Sequence, residues 1–268
     1  MSPLQLKYVN KLAGRRILIF GGTSGIGFAV AEAALEHGAT VILSSSKPER
    51  VENAIQRLKD AYPDPDYHAR TTGYPCDLAV AEKLEENLRP LFDQATENRT
   101  ALLDHIVFTA GNWVKFSTLE DLSLEYIQNV GNVRYLAPLF IAKLARSYLK
   151  VADTSSITLT SSGTHFRPPS QWTAICGFLA GLEGVTRSLA VELAPIRVNT
   201  IYPGSIKTEL FDGWPQDKLP ELLEKWASQT LLNRIGRPEE VAEAYVYAMK
   251  DSFATGTLIT SDGGKIIK

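Results

Sequence analysis

The sequence predicts a single α/β domain: a doubly wound parallel sheet with helices on both faces. Three observations predict it. Short apolar runs alternate with helical patterns along the whole 268-residue chain, as consecutive βαβ units require. A glycine cluster follows the first run and opens the first helix. No repeat, low-complexity stretch or linker interrupts the alternation, so residues 1–268 read as one unit.

The first strand spans residues 16–20 and stops at Gly21-Gly22. A helical pattern over 28–37 closes at Gly38, a residue suited to a helix C-cap. Residues 40–44 form the second apolar run, and 47–61 an amphipathic helix broken by Pro63, Asp64 and Pro65. Helix is expected over 78–95, strand over 105–109, one long helix over 119–149 and strand over 155–160. Helix 172–193, strand 198–202, helix 239–249 and strand 256–260 complete the series. Residues 209–233, rich in Trp, Pro and charge, fall outside the alternation after a strand's carboxyl end. A substrate-covering lid belongs there.

Composition narrows the function classes. With 44% hydrophobic and 22% charged residues the chain is ordinary globular material. Its net charge of −2 and lack of any basic stripe argue against nucleic acid or an anionic membrane surface as partner. The amino-terminal residues lack a signal-peptide apolar core, and no apolar run is expected to span a bilayer. The two cysteines, Cys76 and Cys176, make no disulfide framework. A reducing, cytoplasmic location is expected. The four histidines have no metal-ligand spacing, so no metal site is expected.

Gly21, Gly22, Thr23, Ser24, Gly25, Ile26 and Gly27 stand between the first strand and the first helix. Glycines there permit a tight turn and close backbone approach to a pyrophosphate, which the helix N-terminus attracts. A plain turn would give the same letters. The strand–turn–helix context favours a dinucleotide and hence a single-domain Rossmann fold. The second strand ends Ser44-Ser45-Ser46-Lys47. A carboxylate there would grip a ribose 2′-hydroxyl, and none is present. Hydroxyls and a cation suit a 2′-phosphate and favour NADP(H). The plain alternative is a helix N-cap with a solvated lysine.

With these residues in order, the chain resembles the short-chain dehydrogenase/reductase family along nearly its whole length. Gly21, Gly25 and Gly27 match its glycine motif, and Asp77-Leu78 its adenine-contacting segment. Thr109-Ala110-Gly111 stands where the family has Asn-Ala-Gly. Asn132 matches its helix asparagine, and Ser161-Ser162 its serine. Pro203, Gly204, Ile206 and Thr208 match the segment that holds the nicotinamide carboxamide, and Ser261-Asp262-Gly263-Gly264 the carboxyl-terminal signature. The resemblance implies NADP(H) bound by these residues and a homodimer or homotetramer.

The family's proton-donating tyrosine and its lysine one helical turn later align with Ile175 and Leu179. Residues 172–179 contain neither residue type, so no small shift restores the pair. At i and i+4, Ile175 and Leu179 share one helix face, which would be apolar. Reducing a ketone needs a hydride and a proton, and without a positioned acid the oxyanion is poorly stabilised. An iminium carbon is already electrophilic and gives a neutral amine. Losing the lysine also removes a cation that would repel such a substrate.

The chain is further similar to an atypical fungal branch of this family, the reductase/Diels–Alderases of indole-alkaloid biosynthesis and related iminium cyclases. The features are the 21–30 and 105–110 segments, Arg134, Trp172 and the lost pair. That likeness implies Arg134 beside the nicotinamide and substrate, and Trp172 as a pocket wall. The branch's loop acid falls at Pro169, and residues 167–171 hold no acid, which departs from its cycloaddition chemistry. The reading is a reductase or cyclase acting on a bulky, indole-derived imine or iminium, with Arg134, Asn132 and Ser162 catalytic and Trp172, Ile175 and His165 against substrate. From spacing alone Arg134 is a surface ion-pairing residue, His165 faces solvent, and Asn132 caps a kink. Two alternatives stand beside it: a carbonyl reductase with a relocated proton donor (Ser162, Tyr135 or His165), and a non-enzymatic NADP(H)-binding scaffold.

Overall fold

In a computed structural model, which describes residues 7–111, 116–213 and 216–268, seven strands form one parallel sheet. They are β1 (Arg16–Phe20), β2 (Thr40–Ser45), β3 (Thr71–Pro75), β4 (His105–Phe108), β5 (Ser156–Thr160), β6 (Arg197–Pro203) and β7 (Leu258–Ser261). Their spatial order is β3-β2-β1-β4-β5-β6-β7. The order reverses between β1 and β4, whose registers pair Ile17 with His105 and Phe20 with Phe108. Open α/β sheets bind ligands at such a reversal, outside the strands' carboxyl ends.

Burial on both faces explains why these strands read as unbroken apolar runs. Along β1, Leu18 and Phe20 point into a core shared with Ile106, Phe108 and Ile157. Ile17 and Ile19 point the other way, against α1 (Gly25–Glu36), through Val30 and Ala34, and α9 (Pro238–Lys250), through Val241 and Tyr245. The first core is covered by α4 (Leu84–Ala95), α6 (Ala137–Tyr148) and α7 (Thr173–Glu192). α2 (Pro48–Ala61) packs on β2 and β3.

The structure corrects several sequence expectations. β3 was not expected. It is an edge strand paired only with β2, its five residues include Gly73 and Pro75, and just one of them is buried, so it shows no alternation to detect. A short α3 (Pro65–Ala69) follows the Pro63 to Pro65 break. Helix 78–95 begins at Leu84, after a 3-10 turn over Ala81–Lys83. The long helix expected over 119–149 starts at Leu124, where Ser123 accepts a hydrogen bond from the Tyr126 N–H. It is divided into α5 (Leu124–Gly131), a π-helical turn (Asn132–Leu136) and α6. The described part of 209–233 holds a 3-10 turn (Glu209–Gly213) and α8 (Leu219–Ser228), where the Phe211 and Trp226 rings meet at a tilt, 5.1 Å between centroids. Trp214 of the expected lid lies outside the described residues.

Among the described residues one helix, α7, is long and apolar enough to cross a membrane by length and composition. α7 seats Ile175, Leu179, Leu182, Thr186 and Leu189 inside the domain and lies along β6.

Candidate functional site

A cleft of about 1200 Å³ opens at the carboxyl ends of β1, β2, β4 and β5. Its floor is the glycine turn. A Cβ on Gly21 would stand 2.7 Å from the Ala110 nitrogen, and one on Gly27 would stand 2.3 Å from the Gly21 carbonyl oxygen. Gly21 also has φ of 77°. Only glycine permits this turn and this contact between α1 and β1. Thr109 Oγ1 donates to the Phe20 carbonyl at 2.9 Å and ties the end of β4 to the turn.

Every expected residue from Gly21, Thr23, Ser24, Gly25, Ile26 and Gly27 through Ser45, Ser46, Lys47, Asp77, Leu78, Thr109, Ala110 and Gly111 lines this cleft, as does Thr208. Pro203, Gly204 and Ile206 do not. They lie behind it, where a Cβ on Gly204 would meet the Asp262 backbone at 2.7 Å and Ile206 bridges to Gly236. α2 contributes four lining residues that sequence reading missed: Glu49, Arg50, Asn53 and Arg57. The spacing of three and four residues among Arg50, Asn53 and Arg57 puts them on one helix face, and that spacing was the available signal. Arg57 lies over the Phe28 ring at 4.0 Å and faces Glu209 at 3.9 Å. Lys47, Arg50 and Arg57 make this end of the cleft cationic.

The residues fit a phosphorylated dinucleotide. The glycine cradle has no room for side chains, three cations flank the hydroxyls, and the buried Ser44 Oγ in the cleft wall has no hydrogen-bond partner among the described residues. Bound there, NADP(H) would be held by these residues and would supply a hydride.

Arg134 is half-buried in the cleft wall beside Gly111, not on the outer surface its spacing suggested. The π-turn carries it, and a Cβ on Gly111 would approach its Nη1 to 2.9 Å. Burial holds its pKa below the ordinary guanidinium value, yet a guanidinium keeps its charge in proteins. Asn132, two residues earlier, is not in the cleft wall. Its amide donates to the Ala79 carbonyl at 2.8 Å and ties the π-turn to the loop after β3.

Leu179 lines the cleft. It forms a small apolar cluster with Ile175 and Val130, both 5% exposed or less, and with Phe116, Tyr126, Trp172 and Phe178 packed around it. Trp172 stacks on Phe116 with centroids 5.1 Å apart. The Tyr126 hydroxyl is buried beside this cluster with no hydrogen-bond partner among the described residues, and burial raises its pKa. Sequence reading did not single it out.

Ser162 is turned away from the cleft. Its Oγ accepts from the Thr164 N–H at 3.2 Å and meets the Thr164 hydroxyl at 2.6 Å, capping a 3-10 turn. Its neighbour Ser161 lines the cleft instead, donating to the Leu179 carbonyl at 2.9 Å. His165 does not face solvent: its side chain is 10% exposed. Nδ1 faces the Ser162 carbonyl at 2.9 Å and Nε2 the Glu183 carboxylate at 2.7 Å. Tyr202 also donates to Glu183, at 2.7 Å. Among the described residues no three His, Cys, Asp or Glu side chains gather as metal ligands would.

Comparison with known proteins agrees with this fold. Residues 8–268 match the family described as "SDR-like rossmann domain". The chain is 39% identical over 257 residues to the short-chain dehydrogenase/reductase malC of Malbranchea aurantiaca, covering 96% of each. It superposes on the structure of the MalC reductase/Diels-Alderase from that fungus with a TM-score of 0.90 and 38% identity, covering 97% of this chain and 99% of the other. A short-chain dehydrogenase from Burkholderia cenocepacia in complex with NADP matches at 27% identity and a TM-score of 0.79, over 96% and 99% of the two chains.

Proposed function

Because this chain belongs to the short-chain dehydrogenase/reductase family and its cofactor is NADP(H), we propose that it reduces or cyclises a bulky imine or iminium in fungal indole-alkaloid biosynthesis. NADPH supplies the hydride. The observation that carries the reading is the apolar cluster of Ile175 and Leu179, which counting along the sequence aligns with the family's phenol and ammonium positions. Hydride addition to C=N⁺ consumes the cation and leaves a neutral amine, so that cluster need deliver no proton. Without a lysine at 179, no ammonium opposes the incoming charge there. Trp172 and Phe116 offer a flat aromatic surface to an indole. Arg134 donates to a carbonyl oxygen and fixes its orientation. The name of malC and its 39% identity support a secondary-metabolite reductase or cyclase. The assignment includes a homo-oligomer and a reducing, cytoplasmic setting, the latter supported by the free Cys76 and Cys176.

The test incubates the protein with NADPH and a panel of indole-derived iminium compounds, following cofactor oxidation and ring formation, beside a panel of ketones. Consumption of the iminium with inert ketones is expected. Ordinary turnover of simple ketones with inert imines overturns the reading. One observation favours a second reading, a carbonyl reductase with a relocated donor: the unpartnered Tyr126 hydroxyl. That reading requires Tyr126→Phe to abolish ketone reduction.

A further inference from the structure

The N-terminus of α1, where cofactor phosphates are received, already holds a carboxylate. Glu209 Oε2 accepts the Gly25 N–H at 2.8 Å, across 184 residues of sequence. Its other oxygen faces Arg57 at 3.9 Å. Beneath it, Thr208 packs on Gly25, within 3.0 Å of where a Cβ would stand. Glu209, Leu210, Asp212 and Gly213 all line the cleft. A carboxylate held by a helix N–H and a guanidinium satisfies the groups that a phosphate would otherwise use. The two anions cannot share this cradle, because like charges at that separation repel and the single N–H has one best acceptor.

We propose that Glu209 is a built-in competitor of the cofactor's phosphates, latching the 208–213 strap across the cleft until NADP(H) displaces it. Apparent cofactor affinity is therefore lower than the cradle alone would give, by the fraction of molecules in which the latch is open. Cofactor binding frees the strap, which leads into α8 and the rest of the lid. Substrate-side rearrangement thus follows cofactor entry. The latch is half exposed, with side-chain exposures of 45% for Arg57 and 48% for Glu209, so salt weakens it.

The proposal rests on NADP(H) being the ligand, and its test separates the two. Calorimetric titration of NADPH into the wild-type protein, Glu209→Gln, Glu209→Ala and Glu192→Gln reads the affinity. Glu192, exposed at the far end of α7, controls for the loss of one negative charge. Tryptic cleavage of the cofactor-free proteins after Lys207 and Lys218 reads strap release. Both Glu209 variants are expected to bind NADPH about fivefold more tightly than wild type, as a partly exposed charged hydrogen bond predicts. Glu192→Gln is expected to match wild type, and Glu209→Ala to be cleaved faster. Unchanged or weaker affinity in Glu209→Ala, unchanged cleavage, or an equal gain in Glu192→Gln overturns the latch while leaving the cofactor assignment intact. A wild-type protein that takes up no NADPH overturns both.

Discussion

Gly111 and Arg134 stand so close that any side chain at 111 would press on the guanidinium, 2.9 Å from the Cβ position. The two residues come from the loop after β4 and from the π-turn, and both line the cleft. The obstructing atom is the tip of a flexible side chain, so an added methyl displaces it without breaking the core. Gly111→Ala is therefore expected to leave stability within about 1 kcal/mol of wild type. It is expected to lower turnover about tenfold or more, because small misplacements near a reacting centre are costly. Thermal melting and steady-state kinetics of the one variant check both parts.

Ser45 ends β2 near Lys47, and both line the part of the cleft that would hold a 2′-phosphate. Ser45→Asp sets a carboxylate against that phosphate and offers an acceptor to a free ribose hydroxyl. NADPH binding is expected to weaken by about tenfold or more while NADH binding holds or improves, as facing like charges require. Calorimetric titration with both cofactors decides it. Equal losses for the two would show that position 45 does not read the phosphate.

Leu179→Lys returns a cation to the apolar wall at a site 7% exposed in the present structure. Iminium turnover is expected to fall about tenfold through charge repulsion and desolvation of the ammonium. A neutral ketone is expected to suffer less. Kinetics on a matched iminium and ketone pair measure the difference, and equal losses would remove charge as the cause.

Asp104 is a buried carboxylate far from the cleft, at the amino end of β4. It accepts from the Arg16 N–H at 3.0 Å, from Arg15 at 2.7 Å and from Lys150 at 2.9 Å. Burial alone would push its pKa up, but the Arg16 N–H, Lys150 and Arg15 outweigh it, and the net shift is downward from 3.8. A folded-state pKa below the unfolded value means that Asp104 stabilises the fold above about pH 4 and stops doing so as the pH falls below it. Asp104→Asn is expected to cost about 2 kcal/mol at neutral pH, discounted for the exposure of Arg15 and Lys150. The gap from wild type is expected to shrink in acid. Urea unfolding at several pH values follows both effects.

The parts legible in the sequence are those whose physics is local. Strands β1, β2 and β4 are buried on both faces and read as apolar runs, and the glycine turn carries its own steric signature. The Ser45 to Lys47 edge was readable because a missing carboxylate is visible by inspection. β3 was not, since an exposed edge strand with Gly73 and Pro75 has no periodicity to offer. Asn132 and Ser162 were placed in the site by resemblance to the family's motifs, but each satisfies a nearby backbone group instead, as short polar side chains often do. The placement of Arg134 in the cleft wall depends on a change of helical hand-off that spacing alone conceals. Glu209 was illegible because its partner, Gly25, is near only after the chain has folded.

The π-turn at Asn132–Leu136 works as a vernier between two helices. Its i→i+5 bonding takes up one residue more than an α-turn, about 100° of rotation. α5 thereby addresses the wall around Ile175 through Val130, while α6 addresses the sheet through Ile141 and Ala145. Deleting a single residue there would force the rod into one phase. If α6 kept its seat, Arg134 would swing off the cleft and its wall would lose that cation, with both flanking helices untouched in sequence.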